Sequence, residues 1–80
     1  MSKHIFTERQ EVLQELLRRI RVDAGLTQTE LAERLKRPQS FVSKIESGER
    51  LLDFLELKEI CDAVGIPLTD FVTRFEEEIS

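Results

Sequence analysis

Eighty residues with 12 Lys/Arg against 16 Asp/Glu carry a formal net charge of −4, a length that suits one domain spanning 1–80 and a sign that argues against indiscriminate binding to nucleic acid. A chain this short buries only roughly 60–65% of its unfolded surface, so a single core must use nearly every apolar residue. The charge is uneven: residues 18–50 balance at +3, residues 51–80 at −6 and residues 1–17 at −1, so only the middle is a candidate for a polyanion.

In chain order, the first helix is expected from Thr7 to Ala24, opened by Thr7 and Gln10 as a capping box, with Leu13, Leu17, Ile20 and Ala24 as its inward stripe. Gly25 ends it, as Gly48 and Gly65 end the third and fourth helices, each just past a C-cap. The second helix covers Gln28 to Leu35. Thr27 caps it, Glu30 completes the box, and Leu26 with Leu31 has the spacing of a hydrophobic staple. Leu31, Ala32 and Leu35 should face the core.

Pro38 forbids a continuous helix, because it drives Arg37 out of the α region. It is also suited to a first helical position. A turn at Lys36 and Arg37 therefore separates the second helix from a third over Gln39 to Ser47. Two short helices broken by so few residues cross steeply, which is helix-turn-helix geometry. The fourth helix starts at Asp53 with Glu56 and buries Leu57, Ile60, Cys61 and Val64. Pro67 opens the fifth, whose apolar positions are Leu68, Phe71, Val72, Phe75 and Ile79. The fold is thus all-α with five helices.

The third helix carries the functional signal. Val42 and Ile45 point inward, while Gln39, Ser40, Ser43, Lys44 and Ser47 line the other face. A solvated helix favours Glu/Lys pairs. Short hydrogen-bonding groups led by a glutamine suit base edges, where Gln pairs with adenine and Lys reaches guanine, and a helix N-terminus favours phosphate. Phe41 flanks this surface and either packs partly inside or leans on a sugar or thymine methyl.

The stretch GLTQTELAERLKRPQSFVSKIESG, residues 25–48, resembles the Cro/lambda-repressor type (xenobiotic-response-element family) of helix-turn-helix regulators. The resemblance continues through LKEICDAVGIPLTDF and covers about Leu13 to Val72. It implies sequence-specific binding of double-stranded DNA as a homodimer on a palindromic operator. Base reading falls to Gln39 and Ser40, joined by Ser43 and Lys44 one turn later. Phosphate contact falls to Gln28, with Thr27, Arg37 and Ser47 beside it. An Arg21–Glu46 ion pair is implied as well. The residues support that pair independently, since both straddle the boundary between core and surface next to Ile20 and Ile45. Lys36 departs from the family, which usually has Gly there, and Arg37 stands where an apolar residue is usual.

The remaining features read plainly. Cys61, the only cysteine, sits on an apolar stripe as a small core residue and fits a reducing, cytoplasmic compartment. No run of about 18 apolar residues exists to span a membrane, and the charged first dozen residues argue against a secretory leader. His4, the sole histidine, belongs to a frayed terminus and leaves no metal site. The acidic run Glu76 to Glu78 is a solvated last turn. No nucleophile–base pair, carboxylate dyad or phosphate loop suggests an enzyme, and neither a cofactor nor a small-molecule ligand is indicated. Phe75 and Ile79 either cover the first helix or, with Phe71 and Val72, form a dimer face, the second being favoured. The expectation is a transcriptional regulator, a repressor or autoregulator. The alternative is an antitoxin-like or accessory interaction module acting through the acidic C-terminal half.

Overall fold

A computed structural model describes residues 8–80 as five helices: α1 Glu8–Asp23, α2 Gln28–Leu35, α3 Gln39–Ser47, α4 Phe54–Val64 and α5 Leu68–Ile79. The Thr7 cap and His4 lie outside the described residues. Inside α2 and α4 the start signals work as their sequences require. Thr27 Oγ1 accepts from Glu30 N at 3.1 Å while Glu30 Oε1 accepts from Thr27 N at 2.9 Å. Asp53 and Glu56 exchange the same two bonds at 2.7 and 3.0 Å. Two of the orphan N–H groups at each of these helix starts are thereby satisfied.

Both prolines differ slightly from their expected place. Pro38 and Pro67 are N-caps with extended ψ of 151° and 142°, so α3 keeps its expected start at Gln39 while α5 begins at Leu68, one residue later than expected. The ring presets φ but leaves ψ free, and here it serves to turn the chain rather than to start the helix.

The core consists of Leu16, Leu17 and Ile20 from α1, Leu31 and Ala32 from α2, Phe41, Val42 and Ile45 from α3, Ile60 and Cys61 from α4, and Phe71 from α5. In α1 the stripe is shifted from the expected one. Leu16 is fully buried, Leu13 only partly, and Ala24 is exposed beyond the last helical turn. Leu13, Leu16, Leu17 and Ile20 are spaced i, i+3, i+4, i+7, which is the continuous apolar face of a helix. Leu35, Leu57, Val64, Leu68 and Phe75 pack around the core's edge.

Helix α3 is held chiefly by α2 and α1, whereas α5 lies on α1 and α4. The molecule measures 35 × 25 × 20 Å. This arrangement sets α2 and α3 together on one side and gives α5 a separate one.

Candidate nucleic-acid interface

Four polar side chains from α1, α2 and α3 form one chain of hydrogen bonds. Arg21 donates from Nε to Glu46 Oε2 at 2.7 Å and from Nη2 to Glu46 Oε1 at 3.0 Å, and its Nη1 donates to the Leu26 carbonyl at 2.9 Å. The fork is nearly out of water, with side-chain exposures of 11% and 6%. The Glu46 hydrogen bond, followed by its charge, raises the Arg21 pKa against the opposing effect of burial, so the guanidinium stays protonated.

Gln28, the first residue of α2, continues the chain by donating from Nε2 to Glu46 Oε1 at 3.0 Å. A carboxylate can only accept, so the Gln28 amide must turn its NH₂ inward and its carbonyl outward. Gln39, the first residue of α3, donates from Nε2 to that carbonyl at 2.7 Å. The exposed Gln39 keeps its own carbonyl and one N–H free. The network thus ends in a fixed donor and acceptor presented side by side.

Around this terminus Ser40 and Lys44 are exposed and Ser43 is half-buried, all on α3. Thr27 is occupied by its capping bonds. Ser47 lies at the opposite end of α3, where its hydroxyl donates to the Lys44 carbonyl at 3.2 Å and accepts from Glu49 N at 3.4 Å. The structure therefore brings Gln28, Gln39 and Ser40 together and leaves Ser47 apart.

Arg37 sits at the α2–α3 turn but faces α4. Its guanidinium lies 4.4 Å from the centroid of the Phe41 ring and 3.5 Å from both Glu56 and Glu59. Phe41 itself is 7% exposed, which decides between its two expected placements in favour of the interior. On the same ring stacks Arg50, at 4.8 Å, so two cations share one aromatic side chain.

Arg50 and Glu56 form a second bidentate pair, both bonds 2.9 Å, that the sequence did not suggest. Glu56 is 8% exposed. Arg50 and then the Asp53 backbone N–H hold its carboxyl down to about 2, well below its usual 4.5. The capping box flagged Glu56, but nothing in the spacing of Arg50 marked it as the partner across a loop.

The expected dimer face on α5 is largely used within the chain. Phe71 is 1% exposed and belongs to the core, Phe75 and Ile79 are half-buried, and Arg19 on α1 bonds to Glu78 at 2.8 Å. Only Val72 stays open, at 42%. Packing of α5 on α1 and α4 covers the rest of the stripe.

Among the described residues no three His, Cys, Asp or Glu side chains gather as a metal site, and no helix is long and apolar enough to cross a membrane.

Residues 17–71 match the helix-turn-helix family, while no curated protein matches the sequence. Among solved structures, an XRE-family like protein from Pseudomonas syringae pv. tomato is 42% identical with a TM-score of 0.86, over 99% of this chain and 96% of that one. The clp gene regulator ClgR from Corynebacterium glutamicum is 28% identical with a TM-score of 0.78, over 90% and 94%. The restriction-modification controller protein C.Esp1396I, solved as a tetramer with its natural 35 base-pair operator, is 23% identical with a TM-score of 0.82, over 91% and 96%. At that last identity the likeness concerns the fold.

Proposed function

The chain belongs to the XRE, or Cro/lambda-repressor type, family of helix-turn-helix DNA-binding regulators, and from that premise we propose that it binds a palindromic operator as a homodimer, with α3 in the major groove. The observation that carries this reading is the hydrogen-bonded chain from Arg21 through Glu46 and Gln28 to Gln39. It holds an amide rigidly at the exposed start of α3, and an amide with one free N–H and one free carbonyl matches the N7 and N6 positions of adenine. Ser40, Ser43 and Lys44 read or flank neighbouring positions. Gln28 and Thr27 stand where a phosphate meets the N-terminus of α2, whose dipole favours it.

Arg37 is braced by Phe41 and reaches a phosphate only by exchanging Glu56 and Glu59 for it, and Ser47 stabilises the far end of α3. Two copies related by a two-fold axis set their reading helices about 34 Å apart, one turn of B-DNA. Occupancy of an operator by such a domain excludes other proteins from it, which is repression or autoregulation in the cytoplasm.

Duplex binding with a steep loss of affinity as salt rises is expected, because phosphate neutralisation releases counterions. Gln39→Ala should weaken binding by roughly 1–3 kcal/mol and relax preference at one base position per half-site. Gln28→Ala removes a phosphate contact and the acceptor that holds Gln39, so it should weaken all sequences and also relax the preference at the position Gln39 reads. Intact affinity and preference in Gln39→Ala would remove the base-reading role.

A further inference from the structure

We infer that Leu51, Phe54 and Leu55 form the surface through which two copies of this chain pair. The inference rests on the homodimer reading above and specifies where its two-fold axis runs.

These three side chains are 53%, 65% and 70% exposed, and they cluster at the end of the α3–α4 loop and the first turn of α4. Among the described residues the other large exposed hydrophobics, Val22 and Val72, lie elsewhere, on α1 and α5. The local geometry explains the exposure. Asp53 caps α4, and Glu56 turns inward to meet both Asp53 N and the Arg50 fork. With Glu56 facing in, Phe54 and Leu55 must face out. A carboxylate thus occupies the inner position while a phenylalanine and a leucine are left in water. The cap and the fork account for the inward carboxylate, but neither calls for a phenylalanine and two leucines in water, and an exposed apolar cluster of that kind marks a contact surface.

The second copy is the occupant that the surroundings favour. Leu51 follows the end of α3 by four residues, at most about 14 Å of extended chain. Reading helices set about 34 Å apart place each one roughly 17 Å from the axis, so a surface this close to α3 can lie on it. Helix α5 rests on α1 and α4 instead, so the uncovered part of it is a poorer choice.

The border of the patch carries both signs, with Arg50 40% exposed, Lys58 51% and Glu59 54%. Two-fold related copies can set these charges of opposite sign against each other. The three apolar side chains expose on the order of 350 Å² together, a little under half of the ~800 Å² per partner in a standard interface. Pairing through so small a centre is weak in solution and is completed when an operator holds two copies side by side.

Sedimentation velocity of the full chain across roughly 1–100 μM, together with binding to a half-site and to a full palindromic duplex, tests this. The parent should dimerise in that range. Leu55→Glu, and separately Phe54→Ser, should raise the dimer dissociation constant at least tenfold. Both should keep the parent's circular dichroism, melting and half-site affinity, and lose cooperativity on the full site. Val72→Glu should dimerise like the parent.

Parent-like sedimentation of both patch variants, or a monomeric Val72→Glu, would overturn the assignment. A parent that stays monomeric throughout and occupies a palindrome as one copy would remove the homodimer reading itself. Failure to bind any duplex would count against the DNA reading alone and leave the sedimentation result standing.

Discussion

Helix α3 is anchored at two junctions by the same chemical device, an arginine fork on a glutamate, and the two junctions differ in what lies beyond the fork. At the α1–α3 junction, Arg21 and Glu46 are nearly dry and the network runs outward through Gln28 to Gln39. At the α3–α4 junction, Arg50 is 40% exposed and its partner Glu56 is turned back into a helix cap. There the network ends on the Phe41 ring and the acids of α4. The first junction transmits position to a presented amide, while the second closes a loop. A fork alone therefore does not mark a functional residue; the surplus hydrogen bond leading to the surface does.

The largest expected effect comes from breaking the drier junction. Glu46→Ala strands a guanidinium that has no other anion among its hydrogen-bond partners. Removing one member of a buried pair costs about 3–5 kcal/mol, because the other charge is left uncompensated. In a domain of this size that lowers the melting temperature by at least about 12 °C. Glu46→Gln keeps the shape but not the charge and should also melt below the parent. Thermal unfolding by circular dichroism measures both, and parent-like melting of Glu46→Ala would show that the junction contributes nothing.

A smaller effect, tied to pH, is expected at the wetter junction. The Glu56 carboxyl is depressed from 4.5 to about 2 in the folded chain. A depressed carboxyl contributes stability that is present above its unfolded value and lost as the pH falls through its folded one. The window therefore runs from about pH 4.5 down to about 2. Solvent at Arg50 screens the pair, so the contribution is about 1–2 kcal/mol. Glu56→Gln should be less stable than the parent at pH 6 and converge on it towards pH 2.5. A constant gap in unfolding free energy across that range would exclude the ionic origin.

The two junctions were unequally legible in the sequence, for a physical reason. Arg21 and Glu46 sit beside core positions on two amphipathic helices, so helical periodicity places both at the core boundary. Arg50 lies in a loop, where no periodicity says which way a side chain turns. The same contrast separates α2, whose limits follow from Thr27, Glu30 and Pro38, from α1, whose buried stripe included Leu16 rather than Ala24. Capping and proline signals are local and fix boundaries. Which side of a helix becomes its inner face depends on the partners it meets. Phe71 illustrates this: its period suited either a core or a contact surface, and only the packing of α5 on α1 and α4 decides for the core.

The smallest effect lies between the two junctions and has the opposite sign. Lys36 closes α2 with φ 59° and ψ 43°, the one non-glycine residue in the left-handed region among those described. Its N–H bonds to the Glu33 carbonyl at 3.1 Å and the Arg37 N–H bonds to the Ala32 carbonyl at 3.0 Å. That is the paired-bond C-cap in which glycine is the usual left-handed residue. A side chain there costs about 1 kcal/mol through its Cβ. Glycine recovers that cost but returns part of it by loosening the unfolded chain. Lys36→Gly should therefore stabilise by roughly 0.5 kcal/mol, a rise of about 2–4 °C in melting temperature. Because the cap bonds use only backbone atoms, α2 and α3 should keep their relation and the Gln28–Gln39 bond should survive. Any loss of operator affinity in this variant would then report the missing ammonium charge near the duplex, and should shrink as salt rises. A destabilised Lys36→Gly would show that the lysine side chain makes a compensating contact, and would overturn the reading of this turn as a strained cap.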